Sequence, residues 1–264
     1  ERIPGVPRLA VIIYLSWFAN SLVPAKLGDV YRGWLLRRTG GASLSHAMGT
    51  IVAERMLDAI VLVSLMIVAG VLTYGDVLRR ALAGGVVDCV REGLRGGQTS
   101  CVLVVLLMLG ALLAIGLLLG LAAFGRYGER LGRAIPSRSG RVQSIYARFA
   151  DALVLSFGRF GRLLSLSALA WAAEGAAFWI VGRALGYSLP LPLVIFFSLL
   201  QAFITVIPVT PGGLGFEVFL AGALSLRGLD AAAALAMTAL YRTISYLSLV
   251  VGGAVVYVLG PDSR

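Results

Sequence analysis

The chain has 264 residues, of which 59% are hydrophobic and 14% are charged, and its formal net charge is +10. A soluble domain carries about 25% charged residues, so this composition excludes water as the solvent for most of the chain. Long continuous apolar runs exclude the alternating pattern of barrel strands and predict an all-α polytopic membrane protein. The positive charge is typical of loops that face anionic lipid headgroups, which makes nucleic acid a poor alternative partner.

The first predicted element is a re-entrant helical hairpin at residues 9–38. Its first arm, Leu9–Val23, has 15 apolar or weakly polar residues. As a helix this arm reaches about 22 Å, which is too short to cross a hydrocarbon core of about 30 Å. Pro24 and Gly28 then predict a turn, and the apolar stretch 30–36 predicts a second arm that returns to the same side.

Four longer apolar segments predict helices that cross the membrane. They cover residues 44–73, 101–124, 163–185 and 231–259. Residues 125–162, between the second and third of these spans, contain eight arginines and two acidic residues. Such a segment is typical of a cytoplasmic loop. Apolar residues at helical spacing within it predict an amphipathic helix, which either lies on the inner leaflet or packs against the membrane domain.

A second re-entrant hairpin is predicted at residues 189–226. The apolar run 189–207 ends in the proline- and glycine-rich sequence "PVTPGGLG", and a further apolar stretch follows at 216–226. The proline and glycine residues favour a tight turn and interrupt the helix.

The basic loop predicts an orientation for the whole chain. With residues 125–162 inside, the protein is a multi-pass protein of the cell membrane with a cytoplasmic C-terminus, and residues 75–100 lie outside. Cys89 and Cys101 then either form a disulfide near the outer surface or remain two free thiols.

Comparison of the chain with itself at a shift of 187 residues predicts an internal repeat. The shift aligns four pairs of uncommon residues: Pro24 with Pro211, Gly28 with Gly215, Gly41 with Gly228, and Arg55 with Arg242. Repeat one covers residues 9–73 and repeat two covers residues 163–259. Because the two hairpins would enter from opposite sides, the pattern predicts an inverted-topology repeat, an architecture typical of transporters. No copy of span 163–185 precedes the first hairpin, so we expect that N-terminal sequence is missing.

The two predicted turns favour an anion site. A helix that begins after such a turn has free N–H groups and a positive dipole end, and Lys26 adds a full positive charge in the first hairpin. The predicted turn residues are Pro24, Gly28, Pro208, Pro211, Gly212, Gly213 and Gly215.

Charged and polar residues within the apolar helices are the candidate site. Each charge at the bilayer centre costs about 2.5–3.5 kcal/mol, unless it is paired around a polar cavity. The candidate substrate-binding residues are Asn20, Lys26, Arg32, Arg55, Tyr241 and Arg242. The candidate charge-balancing or proton-coupling residues are Asp29, Glu54, Asp58, Glu174 and Glu217.

The spacing of these charges also permits a purely structural interpretation. Arg55 and Asp58 are three residues apart and can pair on one helix face. In the structural interpretation, Arg55 would pair with Glu217 and Arg242 with Glu54, and these buried ion pairs would only fix the packing of helices.

At these residues the sequence resembles a known family. The motifs N-x3-P-A-K-L-G-D-x2-R, E-R-x2-D, P-x2-P-G-G-L-G-x-E and Y-R are similar to those of the lysylphosphatidylglycerol synthase transmembrane-region family, which includes the flippase domain of the multiple peptide resistance factor. The resemblance covers residues 9–258, and its motif positions are the turn and candidate residues above except Glu174. It implies an integral membrane domain that moves a lipid between leaflets. The sequence given contains no long hydrophilic stretch for an aminoacyl-transferase domain, so aminoacylation is not implied.

The leading functional hypothesis is a flippase or scramblase rather than an enzyme, with no cofactor or metal. It would carry an anionic phospholipid or a polyprenyl-phosphate lipid through a polar site at mid-membrane. One alternative is an intramembrane enzyme that acts on a lipid phosphate, with Glu54 and Asp58 as paired carboxylates. A second alternative is a scaffold that recruits a partner through the basic loop. The expected partners are lipids with anionic headgroups, and the sequence leaves open a homo-oligomer and a lipid-modifying enzyme.

Overall fold

The described part of the chain is helical throughout. The computed structural model describes residues 4–23, 27–41, 43–85, 87, 91, 99–134, 140–157, 160–204, 216–225 and 228–260. Nine α-helices account for most of these residues, and none of the residues in these ranges forms a strand. The helices are α1 (Val6–Leu22), α2 (Leu27–Gly40), α3 (Leu44–Gly84), α4 (Thr99–Ala134), α5 (Gly140–Phe157), α6 (Phe160–Ala184), α7 (Leu191–Ile204), α8 (Phe216–Ser225) and α9 (Ala231–Leu259).

Three of the described helices are long and apolar enough to cross a membrane. They are Leu44–Gly84, Gly161–Ala184 and Ala231–Leu259, which overlap three of the four predicted spans. The fourth predicted span, residues 101–124, lies within α4, where Met108–Phe124 is a shorter apolar helix. The other short apolar helices, Val6–Leu22 and Leu191–Phe203, overlap the segments predicted as the first arms of the two hairpins.

The turns that precede α3 and α9 are built alike. Gly41 and Gly228 both have positive φ, a conformation that glycine adopts without steric cost. Ser43 then caps α3 by accepting a hydrogen bond from the His46 N–H, and Asp230 caps α9 by accepting bonds from two backbone N–H groups. Each pair is related by the same shift of 187 residues, so a glycine with positive φ and a capping side chain precede both long helices at equivalent positions.

Helix α7 is the centre of the main hydrophobic core. Val194, Phe196, Phe197 and Leu199 are all fully buried. They lie against α3 and α6, and the core extends to α8 and α9. A helix of 14 residues is only about 21 Å long. Helix α7 is therefore shorter than α3 and α6, the two helices against which it packs.

Helix α1 packs against α2 and α9. Gly252 and Gly253 of α9 allow this contact. A Cβ atom on Gly253 would lie 2.5 Å from the Phe18 side chain, and one on Gly252 would lie 2.3 Å from the Tyr14 hydroxyl. A Cβ at position 253 would therefore require a shift of α1, because the Phe18 Cβ is fixed to its backbone, whereas one at position 252 would require movement of the Tyr14 hydroxyl.

The amphipathic helix predicted within residues 125–162 is α5. It packs against α3 near Gly49, where an added Cβ would lie 2.4 Å from the Phe149 carbonyl oxygen. Val154 and Leu155 of α5 remain exposed. The structure thus agrees with a helix packed on the membrane domain, and its exposed apolar side chains remain available for lipid.

Candidate functional site

The first turn of α2 is held against the end of α1 by one side chain. Asn20 Oδ1 accepts a hydrogen bond of 2.8 Å from the Gly28 N–H, and Asn20 Nδ2 donates to Asp29 Oδ1 at 3.2 Å. A Cβ on Gly28 would lie 2.2 Å from the Ser16 carbonyl oxygen, so the two helices approach as closely as their backbones permit. Asn20 thereby fixes the position of the Asp29 carboxylate.

Asp29 forms a two-bond ion pair with Arg55 of α3. Arg55 Nε and Nη2 donate to the two Asp29 carboxylate oxygens, each at 3.1 Å. The third guanidinium nitrogen, Nη1, lies 3.8 Å from Asp58 Oδ2, which is too long for a hydrogen bond. The Asp29 side chain is 13% exposed and the Arg55 side chain is 37% exposed, so the pair lies at the edge of the protein interior.

A second two-bond ion pair lies beside the first. Arg32 of α2 donates to both oxygens of Glu54 of α3, at 3.0 and 2.8 Å. Asp58 accepts a 2.5 Å hydrogen bond from the Ser167 hydroxyl of α6. We call Asp29, Arg32, Glu54, Arg55 and Asp58 the α2–α3 cluster. Its two arginines and three carboxylates carry a formal charge of −1 when all are ionised.

The second half of the chain contains a related ion pair. Arg242 Nε of α9 lies 3.0 Å from Glu217 Oε1, in the first turn of α8. Arg242 Nη2 is buried and has no hydrogen-bond partner among the described residues. The preceding residue, Tyr241, donates its hydroxyl hydrogen to the Glu174 carboxylate of α6 and packs edge-on against Phe178. We call Glu217 and Arg242 the α8–α9 pair.

Contacts through Tyr246 connect the α8–α9 pair with the end of α1. The Arg242 guanidinium lies 5.3 Å from the centre of the Tyr246 ring, in cation–π geometry. The Tyr246 hydroxyl donates to the Ser21 carbonyl oxygen at 3.0 Å. Ser21 follows Asn20, whose amide holds Asp29, so a continuous series of contacts runs from Arg242 to the α2–α3 cluster.

Helix α6 provides a second connection. Ser167 contacts Asp58, and Glu174 contacts Tyr241. The two residues are seven positions apart, which is about two turns or 10.5 Å along one helix face. Helix α6 therefore contacts both the α2–α3 cluster, through Asp58, and Tyr241, the residue that precedes Arg242.

The structure tests the predicted ion pairs individually. The predicted proximity of Arg55 and Asp58 is confirmed at 3.8 Å. The pairs proposed in the structural interpretation, Arg55 with Glu217 and Arg242 with Glu54, are wrong. Each arginine instead contacts an acid from the short helix of its own half, because α2 packs on α3 and α8 packs on α9.

Several predicted site residues lie outside the described residues. They are Lys26 and the turn residues Pro24, Pro208, Pro211, Gly212, Gly213 and Gly215, and the same holds for Cys89 and for the side chain of Cys101. No three His, Cys, Asp or Glu side chains converge as metal ligands within the described ranges.

Three residues of this region were not predicted from the sequence. Tyr246 follows Arg242 by four positions, one helical turn, and Ser167 precedes Glu174 by seven, so each shares a helix face with a charged residue that was predicted. Helical spacing from these charges could have found both residues. Ser21 contributes only its carbonyl oxygen, for which the sequence carries no signal.

The family comparison confirms the resemblance seen in the motifs. The family described as lysylphosphatidylglycerol synthase TM region matches residues 3–253. A UPF0104 membrane protein of Methanocaldococcus jannaschii is 30% identical over 242 residues, which cover 91% of this chain and 93% of the relative. A UPF0104 membrane protein of Methanothermobacter thermautotrophicus is 24% identical, and the match covers 92% of this chain and 72% of that protein.

A third relative is a larger protein. The glycosyltransferase AglD of Haloferax volcanii is 27% identical over 268 residues, which cover 91% of this chain but 41% of AglD. No solved structure matches the chain.

Proposed function

We propose that this chain, which belongs to the lysylphosphatidylglycerol synthase transmembrane-region family, moves a lipid with an anionic headgroup between the leaflets of a membrane. The headgroup would pass between the α2–α3 cluster and the α8–α9 pair, while its hydrocarbon chains stay in the bilayer. The observation that carries the proposal is the series of contacts that connects these two charged groups through Tyr246 and Ser21.

The exposure of the charges supports a wet passage. The side chains of Glu54 and Arg55 are 38% and 37% exposed, although both belong to an apolar helix long enough to span a membrane. Hydrocarbon cannot solvate such groups, so polar surface at membrane depth faces water or protein. We infer that these side chains border a water-filled cavity.

The arginines retain donors for a phosphate. Arg55 Nη1 makes no hydrogen bond with a described residue, and Arg242 Nη2 is buried without one. Arginine binds phosphate oxygens well because its N–H groups match their geometry. The carboxylates on each arginine would weaken phosphate binding, and a transported lipid must bind weakly enough to leave.

The arrangement of helices supports an inverted repeat. In repeat one, α1 and α2 precede α3; in repeat two, α7 and α8 precede α9. Helix α1 packs against α9 of the other repeat, and α7 packs against α3 in the same way. We propose that α1–α2 and α7–α8 are the two re-entrant hairpins, and that movement of one repeat against the other opens the passage alternately to each side.

The enzyme alternative would use Glu54 and Asp58 as paired carboxylates, and the similarity to the glycosyltransferase AglD is a reason to consider it. In the structure, Glu54 is bound by Arg32 through two bonds, and Asp58 accepts from Ser167. Each carboxylate therefore binds a different residue, and we do not interpret the two as an acid–base pair. We favour transport over chemical conversion.

Reconstitution tests the proposal. The purified protein would be placed in vesicles with fluorescent phosphatidylglycerol, and exchange between leaflets would be followed by chemical quenching of the outer leaflet. We expect Arg55→Gln and Arg242→Gln each to slow exchange about tenfold or more, the value of one charge-assisted hydrogen bond. Arg80→Gln, an exposed position on α3, should leave the rate unchanged.

Two further measurements make this assay decisive. The double variant Asp29→Asn with Arg55→Gln removes the ion pair without leaving a lone charge, and it should fold and still be slow. Equal rates for the wild type and for both arginine variants would overturn the proposed passage. Recovery of chemically altered lipid from the vesicles would favour the enzyme.

A further inference from the structure

A cavity separate from the charged clusters lies between the start of α3 and helix α5. Its volume is about 970 Å³, and the turn between α2 and α3 forms one wall. Its lining includes Arg37, Ser43, Ser45, Val142, Ile145 and Arg148. Met48, which also lines the cavity, precedes Glu54 by six residues of α3, so the cavity begins about 9 Å along α3 from the α2–α3 cluster.

The polar part of this cavity is positively charged. Arg37 of α2 and Arg148 of α5 both line the cavity, and no acidic residue is part of its lining. Neither arginine forms an ion pair with another residue of the described ranges. The hydroxyls of Ser43 and Ser45 lie 3.3 Å from each other at the same end, beside the N-terminus of the 41-residue helix α3. Arginine, hydroxyl and a helix N-terminus are the groups that bind phosphate.

The remaining wall is apolar and open to the outside. Val142 and Ile145 of α5 are both about half exposed, although they line the cavity. A ligand that joins a phosphate to a hydrocarbon chain would satisfy both parts of the cavity, whereas a free phosphate would leave the apolar part uncovered.

We propose that this cavity binds the phosphate headgroup of a membrane lipid, with the phosphate between Arg37 and Arg148 and the first part of the chain against α5. The site is distinct from the transport passage and does not depend on it. Lipid binding there would hold α5 against α3 at the end of the membrane-spanning helix.

Binding of defined lipids to the detergent-purified full chain tests this site by native mass spectrometry. The probes are phosphatidic acid, diacylglycerol with the same acyl chains, and inorganic phosphate as a competitor. We expect phosphatidic acid to bind more tightly than diacylglycerol. Arg37→Gln and Arg148→Gln should each weaken its binding about tenfold, as expected for loss of one charge-assisted contact.

Arg141→Gln is the matched control, because Arg141 is an exposed arginine of α5 outside the cavity lining. It should retain wild-type affinity, and thermal unfolding would verify that all variants are folded. Equal losses in Arg141→Gln and in the two cavity variants would overturn the site in favour of general attraction to a basic surface. Displacement of the lipid by an equal concentration of inorganic phosphate would assign the cavity to a free phosphate. Because the readout is binding, this result is independent of lipid exchange.

Discussion

At the scale of single residues, the polar side chains near the start of α2 hold one another in place. Asn20 was predicted to contact substrate, but both ends of its amide are used within the protein, by Gly28 and Asp29. We infer that Asn20 affects the proposed passage indirectly, by positioning the Asp29 carboxylate. These polar residues could be selected as candidates from the sequence. The hydrogen-bond partner of each could not be predicted, because the partners come from neighbouring helices.

Replacement of Gly28 by alanine tests the close approach of α1 and α2. The new Cβ would lie 2.2 Å from the Ser16 carbonyl oxygen, so the helices must separate. We expect the free energy of unfolding in detergent to fall by about 1–3 kcal/mol, as for other overpacked sites. Gly75→Ala is the control, because a Cβ there meets nothing within 4 Å. Equal stability of the two variants would show that the contact is not tight.

Replacement of Asp29 by asparagine tests its ion pair with Arg55. The change removes the charged partner of two hydrogen bonds, and we expect a loss of about 1–3 kcal/mol in unfolding free energy. Adding Arg55→Gln to this variant should cost less than the same change in the wild type, because the pair is already broken. Asp76→Asn, at an exposed position of α3, should have no effect. Strictly additive effects of Asp29→Asn and Arg55→Gln would contradict the pairing.

At the scale of helices, apolar runs predict both which helices are long enough to cross a membrane and where helical segments end. The span predicted at 231–259 coincides with α9, because Asp230 caps the helix where the apolar run begins. The span predicted at 44–73 ends beside Tyr74, whose φ of −124° and ψ of 19° depart from helical values and divide α3 into two helical segments. The second segment continues beyond the predicted span to Gly84.

The contact between α5 and α3 gives a prediction at this scale. A Cβ added at Gly49 would lie 2.4 Å from the Phe149 carbonyl oxygen and 2.9 Å from the Ala152 Cβ. We therefore expect Gly49→Ala to displace α5 and to increase hydrogen exchange of the amides in residues 140–157. Gly116→Ala, on α4 and with open space around it, should leave this exchange at the wild-type level. Unchanged exchange in Gly49→Ala would mean that α5 is not held at this point.

At the scale of the whole molecule, composition was enough to predict an all-α membrane protein, and the motifs were enough to predict the family. The charged residues were predicted as a group, and the structure separates them into two clusters. The connection through Tyr246 and Ser21 joins residues 225 positions apart and depends on the packing of α1 on α9. Local sequence patterns carry no information about contacts between residues so far apart in the chain. This connection could therefore be found only from the structure.

The proposed inverted repeat predicts opposite orientations for α3 and α9. Leu44 and Ala231 are the first residues of these helices and are both exposed. In a background with Cys89 and Cys101 replaced by serine, Leu44→Cys should react with a membrane-impermeant maleimide only from the cytoplasmic side. Ala231→Cys should react only from the outside. Labelling of both positions from the same side would contradict the inverted topology.

Photo-crosslinking within vesicles tests whether a lipid headgroup passes beside Arg55 and Arg242, as we propose. A phospholipid with a diazirine on its headgroup would be activated in the presence of the reconstituted protein, and the adducts would be mapped by mass spectrometry. We predict adducts on the segments around residues 54–58 of α3 and 241–246 of α9, with fewer in the variant that carries both Arg55→Gln and Arg242→Gln. Adducts that are confined to the ends of the long helices, and that remain at wild-type levels in that variant, would contradict passage of the headgroup beside these arginines.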